Sequence, residues 1–306
     1  MAAAALPRLI GAALVAVAAP AAAHVAGAAA DTRGDVWATW SLEPWATAGL
    51  ALSGGLYLAG LRHVWARAGR GRGVRPAQTA AFALGWATLA LALLSPLDAW
   101  GARLFSAHMV QHELLMVVAA PLLVLGRPFG AWLFGLPPLW RQAIGRLTRG
   151  AAWRRGWRGL TGPLAAWGLH AAALWLWHVP RLFDAALASP GLHVLQHLSF
   201  LLTALLFWWS VLGDEARRRP GAALASLFTT LLHTAALGAL LALAPEPWYT
   251  AYSASAPLAG WDPLSDQQLG GLIMWVPAGT GYVVASLALV ARRLRPPSPA
   301  RAARAT

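Results

Sequence analysis

The chain has 306 residues, of which 58% are hydrophobic and only 11% are charged. Soluble domains carry about 25% charged residues, so this composition excludes an ordinary soluble globular domain. There is no cysteine, which excludes disulfides and thiolate metal sites. Any metal ion must therefore be bound by histidine, methionine or carboxylate side chains.

The first 23 residues have the pattern of a secretory signal peptide. Arg8 precedes an apolar run, and the run ends in the small residues Ala21–Ala23, as a cleavage site requires. An uncleaved first helix is the alternative interpretation. Residues 24–291 are predicted to form the membrane domain, and residues 292–306 form an arginine- and proline-rich tail that is expected to be disordered.

Seven apolar blocks follow the signal region, each close to the roughly 20 residues that cross a bilayer core as a helix. The sequence thus predicts an all-α polytopic membrane protein with seven transmembrane helices plus the signal peptide. The longest loop, 126–161, mixes tryptophan and arginine in a manner typical of a short interfacial helix. The predicted spans are 45–64, 76–97, 104–125, 162–181, 191–213, 220–244 and 269–291.

The arginines predict the orientation. All 24 basic residues are arginine, and 20 of them fall in loops 62–75, 126–161 and 214–219 or in the tail. Positive residues accumulate on the cytoplasmic side, so the mature N-terminus is expected outside and the C-terminus inside a bacterial inner membrane. The net charge of +13 is then a signal of topology, and no nucleic-acid partner is predicted.

Two histidine pairs are the main candidates for chemistry. His108 and His112 lie near the outer end of the third predicted span, and His193 and His197 near the outer end of the fifth. The i, i+4 spacing places each pair on one helix face, about 6 Å apart along the axis, so one metal ion can bind both imidazoles. His178 lies at the same depth. Imidazoles suit copper, zinc, iron and nickel alike.

Further residues are expected to complete or support this metal site. Met274 is a soft ligand that favours Cu(I), although methionine in an apolar helix also serves as packing filler. His170 and His233 lie deeper, where an interhelical hydrogen bond is an alternative role. Asp266 is also a candidate N-cap of the seventh span. Glu113, directly after His112, is expected to support the site as a partner of the ligands or a proton carrier, and an interhelical hydrogen bond is its alternative role.

With these residues in place, the chain resembles the CtaG-like multi-helix cytochrome c oxidase assembly factors of caa3-type oxidases. The resemblance covers about residues 45–291 and depends on four segments that occur in the family's order. They are Ser95–Asp98; His108–His112 with Pro121 and Gly126–Pro128; His178 through Asp184–Ala186 to His193 and His197, with Phe207–Trp209; and Asp266–Gln267 with Met274–Pro277.

The resemblance implies that the protein helps to assemble haem-copper oxidase, handling copper through His108, His112, His178, His193 and His197. It also implies that Asp98, Asp184 and Asp266 support this set. The expected partners are oxidase subunits and membrane lipid, with no small-molecule substrate, and the protein is not expected to be an enzyme. Three alternatives stay open from the residues themselves. They are a b-type haem protein that transfers electrons, a membrane metalloenzyme with a histidine-bound metal, and a structural oxidase partner.

Overall fold

The computed structural model of the chain describes residues 39–294. The predicted signal peptide and nearly all of the predicted tail lie outside this range. Within it, 84% of the residues are helical and there is no strand, so the predicted all-α class is confirmed. The last helix continues three residues beyond the predicted start of the tail, to Leu294.

Fifteen α-helices and one π-helical segment make up the described range. The π-helical segment, Leu114–Ala119, joins α4 to α5, so that Phe105–Gly126 is one continuous rod. The α-helices are α1 (Pro44–Ala68), α2 (Pro76–Leu94), α3 (Pro96–Gly101), α4 (Phe105–Glu113), α5 (Ala120–Gly126), α6 (Pro128–Gly135), α7 (Pro138–Arg149), α8 (Ala151–Leu160), α9 (Pro163–Trp177), α10 (Pro180–Ala188), α11 (Pro190–Leu212), α12 (Asp214–Arg218), α13 (Pro220–Ala242), α14 (Tyr252–Leu258) and α15 (Pro263–Leu294).

Proline determines where most of these helices begin. Its fixed φ suits the first helical position, and its missing N–H is not needed there. In α11, for example, Pro190 starts the helix directly after the extended residue Ser189. Ten of the described helices start in this way, namely α1, α2, α3, α6, α7, α9, α10, α11, α13 and α15.

Five described helices are long and apolar enough to cross a membrane. They are α2, the rod Phe105–Gly126, α11, α13 and α15, and they match five of the seven predicted spans. The other two predicted spans correspond to α1 and α9. Helix α1 has 25 residues, contains several glycines and has Arg67 in its last turn. Helix α9 has 15 residues, or roughly 22 Å at 1.5 Å per residue, before the chain turns at His178.

Loop 126–161 is more ordered than predicted, because it contains the three helices α6, α7 and α8. Helix α6 packs closely on α1, where a Cβ at Gly60 would meet the carbonyl oxygen of Ala131. Helices α7 and α8 contain no buried residue. The loop therefore adds one packed helix and two surface helices to the bundle.

Indole N–H groups connect the helices of the bundle. In a lipid environment a buried N–H must find a protein acceptor. Trp86 donates to the carbonyl oxygen of Leu50 at 3.0 Å, and Trp132 donates to that of Ser53 at 2.9 Å. Trp208 donates to the carbonyl oxygen of Met116 at 2.8 Å, within the π-helical segment, whose i→i+5 pattern disturbs the regular ladder. These bonds fix α2, α6 and α11 against their neighbours.

Helix α15 packs against both α13 and α4 at glycine positions. A Cβ at Gly271 would lie 2.7 Å from the carbonyl oxygen of Gly238 on α13, and one at Gly270 would lie 2.3 Å from the ring of Phe105 on α4. Small residues let membrane helices approach closely. This close approach brings the start of α15 next to the start of α4, which carries the first histidine pair.

Candidate metal centre

The two histidine pairs face each other across α4 and α11. Within the pairs, the ring centroids are 4.2 Å apart for His108 and His112 and 4.3 Å apart for His193 and His197. Between the pairs, the centroids of contacting rings are 5.2–5.8 Å apart. The sequence predicted each pair but not that the two helices are neighbours. The fold brings all four imidazoles into one cluster, which we call the histidine cluster.

Three members of the histidine cluster lie close enough together to be candidate ligands of one metal ion. One ring nitrogen from each of His108, His193 and His197 lies within 4.8 Å of the other two. Nitrogen ligands at about 2.0–2.1 Å from a tetrahedral ion lie roughly 3.3 Å apart, so the three side chains must move closer together to bind one ion. His112 contacts both His108 and His197, and its role as a further ligand stays a prediction.

The ring nitrogens also fit a metal ion chemically. Both nitrogens of His108, both of His112 and Nε2 of His197 are buried and lack a hydrogen-bond partner among the described residues. Leaving a polar atom buried without a partner costs about 1–3 kcal/mol. A cation that binds neutral imidazole lone pairs offsets this cost, whereas a purely apolar packing role does not.

His178 lies beside the cluster rather than in its centre. Its Nδ1 donates to the carbonyl oxygen of Leu174 at 2.7 Å, which leaves the lone pair on Nε2. The aromatic rings of Phe183 and Phe200 each contact His178, at 6.2 and 6.1 Å, and these same rings contact His108 and His112, respectively. His178 thus shares aromatic neighbours with the cluster, and its role as a metal ligand stays a prediction.

Asp266 holds the helix that carries His108 and His112. Its buried carboxylate accepts the backbone N–H groups of Phe105 (2.6 Å) and Ser106 (3.1 Å), and also the Ser106 hydroxyl. It therefore caps α4, and not its own helix. The N-cap of α15 is Asp262, whose carboxylate accepts the N–H and hydroxyl groups of Ser265. The N-cap role considered for Asp266 from sequence is wrong in this detail, because the residue lies one turn too late.

Asp98 is connected to α4 through Gln111, which directly precedes His112. Gln111 donates from Nε2 to Asp98 Oδ1 at 2.9 Å and to the carbonyl oxygen of Ala92 at 2.8 Å. Both bonds cross from α4 to the region where α2 ends and α3 begins. Asp98 therefore supports the orientation of α4, and the matching residue Gln196 lies next to His108 on the other side.

The other predicted site residues, Asp184, Met274 and Glu113, differ in their contacts. Asp184 accepts the Thr250 hydroxyl at 2.7 Å and the Ala251 N–H at 3.4 Å, so it ties α10 to the segment before α14. Met274 is buried in an apolar cluster that includes Phe105 and Met109, and its role as a ligand stays a prediction. The role of Glu113, which follows His112 in α4 and has one buried carboxylate oxygen without a partner among the described residues, also stays a prediction.

The other histidines between residues 39 and 294 do not join the cluster. His170 shares a hydrogen bond with Thr203 through Nδ1 at 3.2 Å, as expected for an interhelical contact. His233 packs edge-on against Trp167. His63 stacks on Phe134 between α1 and α6.

A small opening leads to the cluster from the end of the bundle. It is a cavity of about 30 Å³ beside His193 and His197, bordered by the carboxylate residues Glu43 and Asp98. This volume holds one or two water molecules or a single ion. Sequence reasoning missed Glu43, although an acidic residue just before Pro44, on the same side as the histidines, was the available signal.

The fold and the cluster together define a class: a helical membrane protein with a buried, imidazole-lined site near one end of its spans. Comparison with known proteins gives the family. The profile of the cytochrome c oxidase caa3 assembly factors (Caa3_CtaG) matches residues 55–296. The chain belongs to this family, as its motifs predicted.

Relatives among curated proteins are described only as uncharacterised. Proteins of Mycobacterium bovis and Mycobacterium tuberculosis are each 30% identical over 227 residues, which is 70% of this chain and 34% of theirs. One from Mycobacterium leprae is 27% identical over the same length. The chain thus spans about a third of the length of these relatives. No solved structure matches it significantly.

Proposed function

We propose that the protein is an assembly factor for a caa3-type haem-copper oxidase, and that its histidine cluster binds copper and passes it to an oxidase subunit. Family membership supports the assembly role. The observation that supports copper handling is the trio His108, His193 and His197, whose ring nitrogens converge from two helices within 4.8 Å. In this role copper is cargo and no covalent bond of a substrate is changed, so the protein acts as a carrier and not as an enzyme.

The ligand set suits a transfer site. Three or four neutral imidazoles without a thiolate bind Cu(I) or Cu(II), and no cysteine is available to close a tight cage. The spacing of up to 4.8 Å between nitrogens is wider than in a closed site. A wide and partly open shell releases its ion more readily than a complete four-ligand cage.

The opening gives the ion a route in and out. His193 and His197 border the cavity, and His193 is more exposed than the other three histidines, which are buried. The carboxylates of Glu43 and Asp98 at the opening attract cations. Release toward a subunit at this end of the bundle would then begin at His193.

The geometry disfavours the haem alternative. A cofactor of that size needs a pocket of roughly 300 Å³ or more, and the cavity beside the cluster measures about 30 Å³. The four imidazoles contact one another at centroid distances of 4.2–5.8 Å, which leaves no slot for a porphyrin plane.

The test is the metal and haem content of the detergent-purified full chain, prepared without a polyhistidine tag. We expect about one copper ion per chain after loading with Cu(I), and none in a variant with His108→Ala, His193→Ala and His197→Ala. His63→Ala is the matched control, because this imidazole stacks on Phe134 away from the cluster. Copper retained by the triple variant, or absent from the wild type, would contradict the proposal.

The assembly role needs a cellular readout. In a strain whose only copy of the protein is the triple variant, we expect loss of copper from the oxidase and loss of oxidase activity in isolated membranes. The His63→Ala strain should match the wild type. If the triple variant supports full oxidase activity while failing to bind copper, the protein acts as a scaffold and the delivery proposal fails.

A further inference from the structure

The surface helices α7 and α8 carry a repeated pattern that the metal site does not explain. Trp140, Ile144 and Leu147 in α7 are followed by Trp153, Trp157 and Leu160 in α8 with the same i, i+4, i+7 spacing. This spacing places three large apolar side chains on one face of each helix. Most of them are exposed, and neither helix has a buried residue.

The charged residues of these two helices are all positive. Residues 137–162 contain no acidic residue. None of the six arginines of α7 and α8 pairs with a carboxylate in the part of the chain that the structure describes. A helix pair with a bare apolar face and an uncompensated positive face has the character of an interfacial membrane segment. The arginines are Arg141, Arg146, Arg149, Arg154, Arg155 and Arg158.

Aromatic contacts place α8 at the level where the membrane spans end. The ring of Trp157 lies 5.8 Å from that of Trp209, which is in the last turn of the span Pro190–Leu212. Both rings also contact Phe129, at 6.5 and 5.6 Å. Tryptophan is enriched at the headgroup level of bilayers. Helix α8 therefore lies where lipid headgroups lie.

A groove at this level combines both properties. It has a volume of about 520 Å³ and is lined by Thr148, Trp153, Arg154, Trp157 and Arg158. Arg154 and Arg158 are one turn apart, and Nε of Arg158 donates to the Arg154 carbonyl oxygen at 3.1 Å, which leaves its Nη groups available. The Trp153 and Trp157 rings are stacked at 6.3 Å and 7°.

We propose that this groove binds an anionic phospholipid, with the headgroup phosphate on Arg154 and Arg158 and an acyl chain along Trp153 and Trp157. Guanidinium groups bind phosphate oxygens through strong charge-assisted hydrogen bonds, and the stacked indoles supply an apolar wall. The apolar face argues against a nucleic acid, and the position of α8 beside the end of a membrane span argues for a lipid, which carries phosphate and hydrocarbon in one molecule. The site is independent of the histidine cluster.

The test measures lipid retention by the delipidated, detergent-purified full chain with native mass spectrometry. We expect phosphatidylglycerol to be retained in preference to phosphatidylcholine. Arg154→Gln with Arg158→Gln should weaken the affinity for phosphatidylglycerol roughly thirtyfold, given the attraction that each arginine near an anionic surface contributes. Arg62→Gln with Arg67→Gln is the control, because it removes the same charge from α1, whose residues do not line the groove.

Several results would overturn the proposal. They are equal retention of the two lipids, an equal loss in the Arg62 and Arg67 control, or inorganic phosphate competing at the same concentration as phosphatidylglycerol. If the glutamine variant unfolds, Arg154→Lys with Arg158→Lys takes its place. The lysines keep the charge but lose the bidentate geometry, so preference for the anionic lipid should persist with weaker affinity, and loss of that preference would contradict the site.

Discussion

The carboxylate of Asp266 accepts both the backbone N–H and the hydroxyl group of Ser106, a residue 160 positions earlier in the chain. Through this contact the first turn of α15 caps α4, two residues before His108. A helix N-terminus attracts negative charge and has free N–H groups, so the pairing stabilises both the helix end and the buried carboxylate. The histidine cluster is therefore supported by a helix that supplies no member of it.

Replacing Asp266 should weaken both the fold and the site. Asp266→Asn places an amide N–H against donors, so at least one buried bond is lost, and we expect a fall in unfolding free energy of about 2 kcal/mol together with weaker copper binding. Asp262→Asn, at the exposed cap of α15, should cost less and leave copper binding unchanged. Thermal unfolding in detergent and Cu(I) titration measure the two effects. Equal losses in both variants would contradict the special role of Asp266.

The histidines should differ in how much each contributes to copper affinity. His197→Ala removes a nitrogen of the converging trio and should lower copper affinity by more than about 100-fold, the upper end of effects seen for supporting residues. His178→Ala removes a neighbour held by Leu174 and should lower it by about tenfold. Competition with a chromophoric Cu(I) chelator gives the affinities. A larger effect at His178 than at His197 would show that the trio is assigned wrongly.

Two glycine-to-alanine substitutions should change stability in opposite directions. At Gly271 the new Cβ would lie 2.5 Å from the backbone nitrogen of Ala242, so α13 and α15 must separate, at a cost of about 1–3 kcal/mol. At Gly168, in the middle of α9, no atom lies within 4 Å of the new Cβ, and alanine should stabilise the helix by about 0.5–1 kcal/mol. Unfolding midpoints from circular dichroism test the pair, and an unchanged midpoint for Gly271→Ala would refute the close contact.

Stability should fall in strongly alkaline solution because of two tyrosines between α13 and α15. Burial raises the pKa of Tyr249 and of Tyr252, with the charges of Asp184 and Asp266 adding to the shift, respectively. Both phenols donate hydrogen bonds, to the carbonyl oxygens of His178 and Gly101. A raised pKa favours the protonated form in the folded state, so the stability is present below about pH 10, the pKa in the unfolded chain, and is lost as pH rises above it.

Substitution of these tyrosines tests the origin of that loss. The double variant Tyr249→Phe with Tyr252→Phe cannot ionise at these positions. Its unfolding midpoint should therefore fall less steeply between pH 9 and pH 11 (roughly one unit on each side of the ordinary tyrosine pKa) than that of the wild type. At pH 7 the variant should be less stable, because two buried hydrogen bonds are lost at about 1 kcal/mol each. Parallel pH profiles for the two proteins would refute this origin.

The amino-acid sequence determined the class of the protein and the composition of its site. Runs of about 20 apolar residues leave no alternative to helices in lipid, because each backbone polar group must then be satisfied within its own segment. The i, i+4 spacing of His108 with His112 and of His193 with His197 depends only on helix geometry. Five of the seven predicted spans and the oxidase assembly family followed from such local patterns.

Tertiary structure alone decided which helices are neighbours. It therefore also decided which residues the predicted site residues contact. Nothing near Asp266 in the chain indicates that it caps α4, and nothing near Glu43 indicates that it borders the cavity beside His193. These relationships depend on close contacts between distant segments, such as Gly271 against Gly238 and Gly270 against Phe105. Side-chain periodicity records which face of a helix is buried, but not which helix covers it. Only the packed bundle shows that the two histidine pairs share one site.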